Sequence, residues 1–129
     1  MSTSNEQLVT DFCNTLTEAN VNKVVSFLAD DVFYHNIPWA PVTGHSGVHE
    51  VLDPFINAGL LQKMEILHTA SSGDVVTNER METWVKSDTQ VLLPVLGIFT
   101  IAGGKITKWC DYFDSETLAP LIQAMKSSS

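Results

Sequence analysis

Between residues 61 and 113 the chain divides into strand-length stretches, 61–70, 74–86, 90–102 and 105–113, separated only by "SSGD", "SDT" and "GG". Turn-forming residues in connections this short make each strand fold back on its predecessor, so antiparallel pairing is expected throughout the block. Helical patterns precede it. Leu8, Phe12 and Leu16 recur at spacing four behind Ser4 and Gln7, a capping-box pair, which predicts a helix from about 5 to 18. Val21, Val24, Val25 and Leu28 form a second short apolar face ending at Asp30 and Asp31, and "VFYHNIP" then reads as a strand stopped by Pro38. The segment "GVHEVLDPFINAGLL" is helical in pattern but carries Pro54, predicting a short, irregular helix. Asp114 or Ser115 caps a last helix containing Leu118, Leu121, Ile122 and Met125, beyond which the final serines should fray.

Helices followed by a run of strands indicate an α+β fold: one domain over residues 1–129, with a curved, mixed but largely antiparallel sheet wrapped around the N-terminal helices. "VLLPVLGIF" is apolar on both faces, as a strand covered on both sides would be, while Pro94 and Gly97 suggest a bulge or an edge position there. The concave side of such a sheet is a natural pocket. Its contents are limited by charge. A formal charge of −8 repels phosphate backbones and acidic lipid surfaces, and no basic patch offsets it, so nucleic-acid and membrane partners are not expected. No apolar run approaches the ~20 residues of a membrane span and the polar start lacks a secretory pattern, so a soluble, cytoplasmic protein is expected. Cys13 and Cys110 fit reduced packing thiols rather than a disulfide framework.

Residues two apart on a strand share a face. That arithmetic sets Arg80 beside Glu82, Tyr34 beside Asn36, and Asp111 between Trp109 and Phe113. Three strands thus each offer a face mixing polar, ionisable and aromatic groups, the usual lining of a small-molecule site. Each pair also has a plainer explanation. Arg80 and Glu82 fit a solvated ion pair, and Tyr34 and Asn36 fit hydrogen bonds closing a strand end. Asp111 is harder to explain away, because a carboxylate among Ile106, Trp109, Tyr112 and Phe113 needs either water or a cation, and Arg80 is a candidate. His45 and His49 stand four apart without a third ligand at metal-binding spacing, so no metal site is expected. His68 has no evident partner. Gly-rich phosphate loops and serine-hydrolase elbows are absent.

The stretches "YHNIP", "NERMETW" and "GIFTIAGGKITKWCDYFD" resemble the limonene-1,2-epoxide hydrolase family, within the broader group similar to nuclear transport factor 2 and ketosteroid isomerase. The likeness runs roughly from Leu8 to Leu118. It implies a cone-shaped fold, a homodimer formed through the outer sheet face, no cofactor, and a set of roles. Asp111 would be the general base, Tyr34 and Asn36 would orient the attacking water, and Arg80 would bridge the two carboxylates. The residue at 82 would be the general acid, and here the chain departs from the family by carrying Glu82 where the pattern has aspartate. Cys110 also replaces the usual arginine, on the opposite strand face.

Two carboxyls, one arginine and one retained proton make a neutral cluster, the cheapest ionisation state in a pocket walled by Trp84, Trp109, Phe113 and Leu93. One carboxyl then stays acid while the other stays base. The expected function is therefore cofactor-independent opening of a small lipophilic epoxide, terpenoid-like or cyclic, to a vicinal diol. Two alternatives stand beside it: an isomerase or cyclase of a polyketide, terpenoid or steroid-like intermediate, and a ligand-binding domain without turnover.

Overall fold

The computed structural model describes residues 2–127 of the chain, with side chains from residue 5. Two helices, α1 (Ser2–Thr15) and α2 (Val21–Val25), come first. Strands β1 (Leu28–Asn36) and β2 (Val42–Thr43) follow, then α3 (Gly44–Leu52) running into a π-helical turn at Asp53–Asn57. Strands β3 (Leu61–Ser72), β4 (Val75–Lys86), β5 (Thr89–Ala102) and β6 (Lys105–Tyr112) lead to α4 (Ser115–Ser127). The six strands form one sheet in the order β2-β1-β6-β5-β4-β3. All neighbours are antiparallel except β1 and β6, which run parallel.

Several expectations need correction. The first helix begins at Ser2, which puts the backbone of Ser4 inside its first turn; the Ser4 side chain lies outside the described residues, and Gln7 donates instead to Asp11. The second helix stops at Val25, and Leu28 opens β1, because the buried residues that follow, Val32 and Tyr34, continue an alternating rather than a helical face. Pro94 is not at a bulge, since it pairs with Met81 in unbroken register, but it does stand at an edge position. The pairing of β5 with β6 extends only to Leu96, so beyond it the side of β5 away from β4 has no strand demanding a donor. Nor is β5 covered on both faces, since Leu92 and Leu96 are exposed on its outer side. Pro54 does interrupt the third helix, through the π turn. Asp114 caps α4, its Oδ2 accepting from the Thr117 backbone N–H and hydroxyl, which holds its carboxyl below the usual value. Ser127 is helical, while Ser128 and Ser129 lie outside the described residues.

The core lies between the inner sheet face and the helices. Phe12 of α1 is fully buried and meets Trp109 edge-on at 4.9 Å, Phe99 at 6.0 Å and Phe27 at 5.9 Å. Side-chain alternation along β4 buries Val76, Asn78, Arg80, Glu82 and Trp84, and along β5 it buries Val91, Leu93, Val95, Gly97, Phe99 and Ile101. Strand β6 changes phase. Ile106 is inward, but so are Trp109 and Asp111, because the register shifts between Thr100 and Ile101 and leaves Thr107 unpaired. The Thr107 hydroxyl donates to the Thr100 carbonyl and pins this bulge. One extra residue thus turns Trp109 and Asp111 toward the interior.

Phe12→Ala removes the ring against which Trp109 leans, and the expected loss is about 3–5 kcal/mol of unfolding free energy. Urea denaturation with an unchanged m-value would check it.

Candidate active site

Four strands carry one row of residues across the sheet: Asn36 pairs with Asp111, Asp111 with Gly97, and Gly97 with Asn78. Arg80, next on the inner face of β4, reaches across β5 toward β6. Adjacent strands are about 4.8 Å apart, so the guanidinium must pass over the β5 position between them. That position is Gly97. A Cβ there would collide with Arg80 Nη1 and stand 2.9 Å from Asp111 Oδ1.

The guanidinium is 0% exposed. Its Nη2 donates to Glu82 Oε2 at 3.0 Å and to Asp111 Oδ2 at 2.8 Å, its Nε to Glu82 Oε2 at 3.2 Å, and its Nη1 to Asn78 Oδ1 at 2.9 Å. Phe99 lies 6.0 Å from its centre. The Asn78 amide donates in turn to Cys13 Sγ at 3.4 Å, which ties the site to α1. Each carboxyl takes a further donor from a tryptophan on its own strand: Trp84 Nε1 to Glu82 Oε1 at 3.0 Å, and Trp109 Nε1 to Asp111 Oδ1 at 2.9 Å. Tyr34 stacks on Trp109 with centroids 4.1 Å apart, and its hydroxyl accepts from Asn36 Nδ2 at 2.9 Å.

Burial works against the Arg80 charge, but Asp111 and Glu82 outweigh it and hold the guanidinium protonated. Burial raises the Glu82 carboxyl above the ordinary value; Arg80 opposes the rise and Asp111 adds to it. Burial likewise lifts the Tyr34 hydroxyl well up, and pushes the Cys13 thiol to about 11. The cluster therefore holds a committed cation, a carboxyl whose pKa burial has raised, and a tyrosine that keeps its proton.

Glu82, Asp111, Tyr34, Asn36, Trp84, Trp109, Phe113 and Leu93 all line one partly open cavity. Arg80 lies behind this wall. The remaining lining, which sequence reasoning missed, comes from Leu16, Trp39, Val51, Leu52, Phe55, Ile56, Leu61, Val95 and Leu118. Asn78 was also missed, although it is two residues before Arg80 on the same strand face. The histidines stay outside. His45 contacts the Leu28 carbonyl at 3.0 Å, His49 pairs with Asp53 at 2.9 Å, and His68, expected to lack a partner, meets Glu79 at 2.7 Å. No helix among the described residues is long and apolar enough to cross a membrane.

Gly97→Ala should displace Arg80 and destabilise the fold by about 1–3 kcal/mol, readable in urea melts. A second expectation concerns pH. Because the folded protein binds the Glu82 proton more tightly than the unfolded chain, stability falls as pH rises from about 4.5 through the folded value. Glu82→Gln should flatten that slope, measured by urea unfolding across the window.

Known proteins resemble this chain in sequence and in fold. Residues 3–124 match the family model described as the limonene-1,2-epoxide hydrolase catalytic domain. Epoxide hydrolase EphG of Mycobacterium tuberculosis is 27% identical over 103 residues, covering 80% of this chain and 68% of that one. The structure of an M. tuberculosis LEH-like epoxide hydrolase superposes with a TM-score of 0.78 at 26% identity, covering 98% of both chains. TerC, co-crystallised with polyporic acid, superposes at 0.76 with 19% identity over 93% of this chain and 98% of its own. A putative SnoaL-like polyketide cyclase from Shewanella putrefaciens superposes at 0.75 with 14% identity, over 92% and 85%; these last two share the fold alone. With its curved, open sheet and a family match spanning nearly its whole length, the chain belongs to the limonene-1,2-epoxide hydrolase family.

Proposed function

We propose that the protein opens a lipophilic epoxide, terpenoid-like or cyclic, to a vicinal diol in one step, with Asp111 as general base and Glu82 as general acid. The observation that carries this reading is one guanidinium nitrogen donating to both carboxyls at the wall of an otherwise apolar cavity. Two carboxyls sharing one cation hold one proton between them at least cost. Burial favours Glu82 as its holder. Water then attacks an epoxide carbon as Asp111 takes its proton, the C–O bond breaks, and Glu82 gives its proton to the departing oxygen. Proton transfer from Asp111 to Glu82 restores the starting state. The Tyr34 hydroxyl accepts from Asn36, which leaves its own proton free to donate to the attacking water. Trp84, Trp109, Phe113 and Leu93 supply the apolar surface for the substrate body. This chemistry requires no cofactor.

Two further features belong to the same proposal. The exposed Leu67, Leu92, Leu96 and Tyr112 support a homodimer formed through the outer sheet face, which sedimentation equilibrium would test. Free, buried Cys13 and Cys110 support a reducing, cytoplasmic setting. An isomerase or cyclase is the second reading, because one fold can host different chemistries and a putative polyketide cyclase shares this one.

Turnover in ¹⁸O-labelled water separates the two: a diol carrying the label is expected, and a product of unchanged mass would overturn hydrolysis. Asp111→Asn should lower kcat on an accepted epoxide by about 10²- to 10⁴-fold. An unchanged rate would remove Asp111 as the base.

A further inference from the structure

The acid proposed above must deliver its proton from one particular oxygen, and the hydrogen bonds around Glu82 distinguish its two. Oε2 accepts both Arg80 Nε and Arg80 Nη2. A carboxyl oxygen has two in-plane acceptor directions, so Oε2 is fully used and the retained proton belongs on Oε1. Oε1 accepts the Trp84 indole N–H at 3.0 Å. That occupies one of its two directions and leaves the other for the O–H. We propose that Trp84, besides walling the cavity, is a positioning residue for Glu82: its indole N–H fixes which oxygen carries the proton and along which direction that proton leaves.

Resting on the acid role assigned to Glu82, this inference gives the indole a second consequence. As the Glu82 O–H bond breaks and the new O–H forms on the epoxide oxygen, negative charge gathers on the carboxyl. A hydrogen bond to an ionised carboxylate is stronger than one to its neutral form. The Trp84 bond therefore tightens as the reaction proceeds, and it stabilises the state with developing charge more than the resting acid. The indole is itself held. Phe55, in the π-helical turn beside Pro54, packs edge-on against it at 5.7 Å and an interplanar angle of 81°. The arrangement also makes sense of the glutamate, whose side chain places one oxygen on Arg80 and the other on a donor two residues further along the strand.

The charged and titratable groups facing Glu82 are Arg80 on its own strand, Asp111 from β6, Tyr34 from β1 and Cys13 from α1. Strand β5 faces it with Leu93, its pairing partner, and the π turn faces the shared cavity with Phe55 and Ile56. Beside these groups, the Trp84 indole N–H favours the ionised form of Glu82. Removing it raises the acid's pKa. Because the acid works in its protonated form, the alkaline limb of kcat then moves to higher pH.

The test begins without substrate. In ¹⁵N–¹H spectra of the wild-type protein, the Trp84 indole signal should shift with the titration of Glu82, and that response should vanish in Glu82→Gln. In ¹³C-carboxyl glutamate spectra of Trp84→Phe, Glu82 should titrate at higher pH than in the wild type. An indole signal indifferent to pH, or a Glu82 titration unmoved by Trp84→Phe, would overturn the proposal. On an epoxide that the wild type opens, Trp84→Phe should lower kcat by about 10- to 100-fold, with the alkaline limb displaced upward. A raised KM with that limb unmoved would reduce Trp84 to a wall and overturn the positioning role. If the wild type opens no epoxide, the proposed hydrolysis fails, and the two spectra still decide for or against the Trp84–Glu82 link.

Discussion

A guanidinium with no solvent exposure is the constraint around which this sheet is organised. Taking such a charge out of water carries a penalty of several kcal/mol, and only close, well-aligned acceptors offset it. Arg80 has three such groups, Glu82 and Asn78 on its own strand and Asp111 from β6. Reaching Asp111 means crossing β5, and β5 must present a residue without a side chain at that point. Gly97 therefore serves the ion cluster rather than a turn. The Thr107 bulge answers the same demand from the other side, since it turns Asp111 inward. Strand register, a glycine and a bulge all follow from seating one buried cation.

The bonds within the cluster are unevenly shared. Asp111 accepts one bond from Arg80, while Glu82 accepts two on a single oxygen. Each carboxyl is also held by an indole from its own strand, so neither can rotate without breaking a bond. The aromatic wall thus does more than repel water. Trp109 is stacked against Tyr34 and propped by Phe12, which makes the orientation of Asp111 a property of the core. Geometry held by packing in this way is what general acid–base chemistry needs, because misplacement by about 1 Å costs it orders of magnitude.

Much of this was legible from residue types and spacing. Alternation along one strand brought Arg80 to Glu82, and along another brought Trp109 to Asp111, because that periodicity depends only on local backbone geometry. The same rule extended two residues back would have found Asn78, but an uncharged amide gives no hint of a buried cation until the partner is seen. Gly97, with Pro94, suggests a bulge or an edge position when only the sequence is read. Its function depends on which residues lie opposite it on β4 and β6, and register between strands is a tertiary property. The cavity wall from Val51, Leu52, Phe55 and Ile56 was hidden for a similar reason: a short helix broken by Pro54 has no single apolar stripe to follow. Leu28 was misassigned because one apolar residue fits either a helical or an extended period.

The parallel pairing of β1 with β6 joins Tyr34 to Trp109 and Asn36 to Asp111. Those partners lie at opposite ends of the chain, and closing so long a loop before any contact rewards it is slow. The hairpins of β3 to β6 can form early, from neighbours in sequence. Tyr34 and Asn36 can join Asp111 only when the first strand docks beside the last. A nascent or partly refolded chain would thus hold most of its sheet while lacking the part of the cavity wall that Tyr34 and Asn36 supply, and completion of that wall would mark the closing step of folding rather than its start.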